Sequence, residues 1–290
     1  MRSGQLVAFT FIGVVAVAPA RAAAADRTRQ AVVHFKPSPT GDIVVPVFVG
    51  GRGPYRFFLD TGSGHTVMSE TLAATLGAEP VAKAPLTTST GTAMALVVRL
   101  TDVAVGSARV DSLLATSMPA AAFATLGDGV SGVLGQDFLS RFNFTLDYRT
   151  SSLSWDDDDQ REHGVRLALE PSDGRFLVHL PQDDRCRCPV RLVPDSGAND
   201  VVLFAGTEAD RLPVDATAES MRVGTLTGDG TVALVILRDL RVGPARLTNR
   251  RVARLRRPAG GGESDGLLPL HLFARVSFNH RDGYMIVQPR

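Results

Sequence analysis

The feature that most narrows what this chain can become is an internal repeat. The block Asp60-Thr61-Gly62-Ser63 returns as Asp195-Ser196-Gly197-Ala198. Leu100-Thr101-Asp102-Val103-Ala104-Val105-Gly106 returns as Leu237-Arg238-Asp239-Leu240-Arg241-Val242-Gly243, and Gly132-Val133-Leu134-Gly135 as Gly266-Leu267-Leu268-Pro269. Asp60 to Asp195 is a step of 135 residues, Asp102 to Asp239 one of 137, and Gly132 to Gly266 one of 134. Three blocks in one order at a nearly constant offset imply two equivalent structural units. In both, short β-branched and aromatic runs alternate with Gly and Pro turns, and helical patterns cover only a turn or two, so the expected fold is all-β in two pseudo-symmetric lobes. The divisions follow from this: residues 43–155 form the first lobe, 156–164 an acidic linker and 165–290 the second lobe.

Within the first unit the informative stretch is residues 57–69. An apolar run, Phe57-Phe58-Leu59, ends in Asp60, and Thr61-Gly62 follows at once, so a strand ends in a tight turn that displays one carboxylate at its tip. A β-strand around Ile43 to Val49 and a Gly50-Gly51-Arg52-Gly53-Pro54 hairpin turn precede it; a return strand and a helical segment at residues 70–77 follow. An Asx turn cap is the plain alternative for Asp60, and the same alternative holds for Asp195, where Pro194 removes a backbone donor and Pro269 replaces the Gly of the first unit.

In this setting the chain resembles the aspartic protease superfamily, closest to the bacterial retropepsin-like branch, over nearly all of residues 43–290. The resemblance implies two lobes facing across a cleft, with Asp60 and Asp195 as the catalytic pair. Thr61, Gly62, Ser63, Ser196, Gly197 and Ala198 would support the two loops, the hydroxyls of Thr61 and Ser196 as braces and the glycines by permitting close approach. It also implies that residues 86–98, with Ser89, Thr90, Gly91 and Thr92 at the tip, form a flap over the substrate, and that residues 225–231 form a second, flap-like hairpin. The flap lacks the tyrosine of pepsin-like enzymes, the three tyrosines being Tyr55, Tyr148 and Tyr284. The function implied is endopeptidase hydrolysis of an extended polypeptide by an Asp dyad and water, with no cofactor and no metal. A protease-like binding module that lost turnover, and a homodimer pairing two first lobes, are the alternatives; the internal repeat weakens the second.

Carboxyls held about 3 Å apart cannot both ionise, so such a pair shares one proton and its apparent pKa values split. The fourth positions differ: a Ser63 hydroxyl could donate to Asp60, whereas Ala198 has no donor for Asp195, which would leave the proton on Asp195 and raise the lower apparent pKa of the pair.

The totals set the surroundings. Lys and Arg number 31 against 30 Asp and Glu in 290 residues, so no global field favours nucleic acid or an anionic membrane. Residues 1–25 carry Arg2, an apolar run over residues 6–18 and cleavage positions after Ala20 or Ala22, the pattern of a signal peptide; residues 26–42 read as an N-terminal arm. No Cys follows the run, so an exported chain, periplasmic or secreted, without a membrane anchor is expected, as a two-lobed monomer. Cys186 and Cys188 read as free or loosely bridged hairpin thiols, because strand partners two apart sit beyond the usual disulfide span. His65 lacks the nucleophile a hydrolase triad needs. Residues 250–257, rich in Arg, read as an edge strand blunted by charge, and residues 259–263 as a flexible loop.

Overall fold

The computed structural model describes residues 32–36, 41–87, 92–155, 164–182, 189–257 and 262–290. Residues 1–25, which read as a signal peptide, most of residues 26–42, the expected flap-tip residues Ser89, Thr90 and Gly91, the run Asp156-Asp157-Asp158-Asp159, both cysteines and residues 259–261 lie outside them. Among the described residues no helix is long and apolar enough to cross a membrane.

Two sheets carry the repeat. In the first, seven strands run in the order Val44–Val49, Arg52–Leu59, Val130–Leu134, Thr66–Ser69, Ala108–Met118, Thr92–Val105, Pro80–Thr87. In the second, Arg175–Leu180, Val190–Asp195, Gly266–Pro269, Val202–Ala205, Ala245–Arg256, Gly228–Val242 and Val214–Thr225 follow the same order position by position, with Glu170–Ser172 added beyond the first. Each sheet contains the same crossing. Leu59 pairs in parallel with Leu134 and Val67 antiparallel with Val133; Asp195 pairs in parallel with Pro269 and Val202 antiparallel with Leu267. A strand arriving from far along the chain is thus wedged between the strand before each Asp and the strand after it. The Asp loop cannot close as a simple hairpin, so it stays open at the sheet's end.

Local chemistry explains the elements. Val45, Val47 and Val49 point inward while Pro46 and Phe48 face outward, a period-2 pattern that fixes the register of the first strand. Gly50 and Gly51 turn it back in the left-handed region, at φ 57 and 71, and the return strand begins at Arg52, earlier than the Gly- and Pro-rich sequence suggests. Helix Glu70–Leu76 starts on Ser69, whose side chain accepts from the Leu72 N–H, and ends on Gly77 at φ 68.

A third, six-stranded sheet joins the halves. Phe144–Asp147 of the first half pairs antiparallel with Phe273–Asn279 of the second, and the outer strands come from both. Its core is aromatic: the Phe144 ring stacks on Phe278 at 4.8 Å and meets Trp155 edge-on at 5.7 Å. Such pairs add about 0.5–1.5 kcal/mol each beyond burial. The arm contributes as well. Val33–His34 pairs with Leu153 and Ser152, and Val33 and Phe35 are buried while His34 and Lys36 stay outside.

The basic segment is not an edge. Ala245–Arg256 is flanked by Val202–Ala205 on one side and Gly228–Val242 on the other. Val252, Ala253 and Leu255 are buried, while Arg251 pairs with Glu219 and Arg254 with Asp210. The charges are carried on a strand paired on both sides and do not blunt an edge.

Candidate active site

Asp60 follows the last residue of Arg52–Leu59 and Asp195 closes Val190–Asp195, so the two carboxylates stand at equivalent ends of the two repeat sheets. The residues after them tie the halves together. The Thr61 N–H donates to the Ser196 hydroxyl oxygen at 3.0 Å, and the Ser196 N–H to that of Thr61 at 2.9 Å. The Thr61 hydroxyl then donates to the Pro194 carbonyl and the Ser196 hydroxyl to the Leu59 carbonyl, both at 2.8 Å. Both side chains are buried, and every one of these groups is satisfied by the opposite motif.

Gly62 and Gly197 are needed for space rather than for a left-handed backbone. A Cβ on Gly62 would overlap the carboxyl of Asp195, and one on Gly197 would lie 2.9 Å from Cγ of Asp60. Each carboxyl therefore rests on the glycine of the other loop, and the two carboxyls hydrogen-bond each other. Gly62 N–H donates to Oδ1 of Asp60 at 2.8 Å; Gly197 and Ala198 N–H donate to Oδ1 of Asp195 at 2.7 and 3.0 Å.

Burial raises the pKa of both carboxyls, since a charge there loses its water. Asp195 is raised further by the negative charge of Asp60 and by donating its proton to it. Asp60 is helped towards the charged form by that bond, by the Gly62 and Ser63 N–H groups and by the guanidinium of Arg175. Arg175 belongs to the second half and enters through a hairpin whose turn, at Asp173 and Gly174, packs against Gly64. Of the two carboxyls, Asp195 is held the more strongly towards its protonated form.

The fourth positions act differently from the sequence expectation. The Ser63 hydroxyl donates to the His65 carbonyl at 2.8 Å, so Asp60 receives the Ser63 backbone N–H and not its side chain. Asp195 receives the Ala198 backbone N–H in the same way. Here Ser63 and Ala198 are equivalent.

A model of the aspartyl protease family matches residues 45–138 and 184–271, more than half of the chain and one Asp motif in each segment. The chain belongs to the aspartyl protease family. A comparison with curated proteins gives no match.

Two residues that bind this family's first loop in place were not evident in the sequence. Gln136 donates its side-chain N–H to the Thr61 carbonyl at 2.9 Å and its backbone N–H to the Ser63 carbonyl at 2.8 Å. Asp137 accepts from the Thr66 N–H and hydroxyl at 2.9 and 2.7 Å. The available signal was their position straight after the repeated Gly132-Val133-Leu134-Gly135 block. Gly135 itself is fixed by space, because a Cβ would lie 2.6 Å from the His65 carbonyl. The second half has Leu270 and His271 there, and His271 hydrogen-bonds the Ala198 backbone instead. At the two prolines, the Pro194 carbonyl accepts from the Thr61 hydroxyl, and Pro269 keeps its place in the ladder beside Asp195.

Of the residues expected in a flap, Thr92 is described; it pairs with Thr87, their hydroxyls 2.9 Å apart, in the antiparallel pair Pro80–Thr87 and Thr92–Val105. The second hairpin turns at Leu226 and Thr227. Among the described residues no group of three His, Cys, Asp or Glu side chains could hold a metal ion.

Proposed function

We propose that the protein is an aspartic endopeptidase acting on polypeptides bound in extended form between its two halves. The observation that carries this is the reciprocal seating of Asp60 and Asp195, each carboxyl over the other loop's glycine and bonded to its partner. In the reaction, ionised Asp60 takes a proton from a water molecule whose oxygen attacks the scissile carbonyl carbon. Asp195 gives its proton to the carbonyl oxygen, and a tetrahedral diol forms. Collapse of the diol returns one hydroxyl proton to the dyad, the amide nitrogen takes the proton held by Asp60, and the C–N bond breaks. A carboxylic acid and an amine leave, and the pair again holds one proton. The first hairpin would cover the bound peptide and exclude solvent water.

We further propose that the enzyme works outside the cytoplasm, on the strength of the charged, apolar and small-residue succession in residues 1–25. Incubation of the purified chain with a diverse peptide library, with and without a pepstatin-type inhibitor, tests the activity. Inhibitor-sensitive internal cleavage that is lost in Asp60→Asn is the expected result. No cleavage between pH 3 and 8, or cleavage that persists in Asp60→Asn, overturns it.

A further inference from the structure

The carbonyl three residues after each aspartate is anchored in both loops, but by different means. In the first, the Ser63 carbonyl accepts from the Gln136 backbone N–H at 2.8 Å, at the start of the helix Gln136–Leu139. In the second, the chain after Gly266–Pro269 forms the 3-10 turn Leu270–Leu272 instead, and the Ala198 backbone is held by the side chain of His271. The Ala198 N–H is already taken by Oδ1 of Asp195 at 3.0 Å, so the group that His271 meets is the Ala198 carbonyl, and the ring donates. His271 lies five residues after Gly266, the place that Asp137 holds after Gly132. Asp137 accepts from Thr66 on the return strand. The repeat thus carries a donor in one half where it carries an acceptor in the other.

The ring is backed by the arm. A Cβ on Gly41 would fall 2.4 Å from Cβ, 2.5 Å from Cγ and 2.9 Å from Nδ1 of His271, so only a glycine lets the arm lie this close. Burial and the guanidinium of Arg290 lower the His271 pKa, while Asp200 of the loop and Asp42 of the arm act the other way. At neutral pH and above the ring is therefore uncharged, and it gives the loop one hydrogen bond and no charge. A main-chain anchor such as that of Ser63 survives a change of side chain; this one does not.

We infer that His271 is a positioning residue for Asp195: backed by Gly41, its ring N–H fixes the Ala198 carbonyl and so keeps the Ala198 N–H on the Asp195 carboxyl. That N–H favours the ionised form of Asp195. A loop that drifts loses it, and Asp195 then keeps its proton to higher pH. The other groups facing Asp195 are Asp60, the Gly197 N–H and, from the residue after Phe144–Asp147, the Tyr148 hydroxyl. The inference rests on the endopeptidase reading above.

The test compares the full-length protein with three variants. His271→Leu removes the donor, His271→Gln restores an N–H at similar reach, and Gly41→Ala pushes on the ring without changing it. The alkaline limb of the kcat/KM profile, where Asp195 loses the proton it gives to substrate, is expected to move up by at least about half a pH unit in His271→Leu and Gly41→Ala and to lie near wild type in His271→Gln. At the plateau, kcat falls at least about threefold in the first two. A limb that stays in place in His271→Leu, or moves as far in His271→Gln, overturns the inference; a residue that only stabilised the fold would lower the thermal midpoint and leave the limb alone. If His271→Leu does not fold, the limb of Gly41→Ala against wild type decides in the same way. If the wild type cleaves no peptide, the endopeptidase reading fails separately. The titration of Asp195, followed by 13C NMR of aspartate-labelled protein and assigned with Asp195→Asn, then replaces the limb. A midpoint raised in His271→Leu and restored in His271→Gln supports the role of His271, and an unchanged one overturns it.

Discussion

Thr61 and Ser196 exchange hydrogen bonds in both directions, each backbone N–H donating to the other's hydroxyl oxygen, at 3.0 and 2.9 Å. The two halves are thereby locked at the point where their carboxyls meet, and each hydroxyl also donates onward to a carbonyl of the opposite strand. Removing either hydroxyl leaves buried groups of the other half without partners, which costs about 1–3 kcal/mol for each orphan. Thr61→Val keeps the side chain's shape and orphans the Ser196 N–H and the Pro194 carbonyl. We expect it to destabilise the fold by about 2–4 kcal/mol, measured by denaturant unfolding, and to lower kcat/KM at least tenfold.

The glycines give a graded prediction. A methyl group on Gly62 collides with the Asp195 carboxyl more deeply than one on Gly197 does with Asp60. Gly62→Ala should therefore lose more activity than Gly197→Ala. Steady-state kinetics on one peptide, with circular dichroism to confirm folding, checks the order.

The acidic limb of the pH profile should follow Arg175 and ignore Ser63. Asp60 must be ionised to act, so activity falls as pH drops through its apparent pKa. The positive charge of Arg175 favours the ionised form; Arg175→Gln removes that help, raises the pKa and moves the limb to higher pH. The Ser63 hydroxyl is engaged by the His65 carbonyl, so Ser63→Ala should leave the limb where it is. Profiles of kcat/KM for the three proteins decide both points.

His280 should set an acid limit on stability. Its ring lies among Phe144, Phe176 and Phe278, at 5.7, 4.8 and 5.5 Å, and neither nitrogen has a hydrogen-bond partner among the described residues. Burial lowers its pKa from 6.5 to about 4. A histidine whose folded pKa lies below its unfolded value binds fewer protons folded than unfolded, so its contribution is complete above pH 6.5 and is lost as pH falls towards 4. The loss is about 3 kcal/mol at its limit. His280→Phe should retain stability further into acid, read as a lower pH midpoint of unfolding by circular dichroism.

The sequence made the fold class and the family legible for a physical reason: both rest on residues whose constraint is local or repeated. Asp-Thr-Gly after an apolar strand and Asp-Ser-Gly 135 positions later are visible without any structure. Gln136 escaped notice because its role is a bond to Thr61, 75 positions away, and nothing in its neighbourhood signals that. The partner of Ser63 is not legible in the sequence because a hydroxyl can turn to any acceptor within reach, and the His65 carbonyl is the one it meets. The arginines of Ala245–Arg256 suggest an edge because charge along a strand looks alike whether the strand is at the border of a sheet or inside it. Strand order alone distinguishes them, and it depends on pairings across the whole second half.

The central claim is that one dyad, drawn from both halves, does the chemistry, and Asp195→Asn tests it most directly. The amide keeps the shape of the carboxyl and its contacts to the Gly197 and Ala198 N–H groups but cannot supply the proton. The measurement is kcat on a peptide the wild type cleaves, with the unfolding midpoint and inhibitor affinity recorded alongside. The account predicts a fall of at least about a hundredfold, the scale of general acid catalysis, in a protein that remains folded. Turnover within about tenfold of wild type would contradict it and leave Asp60 to act without its partner.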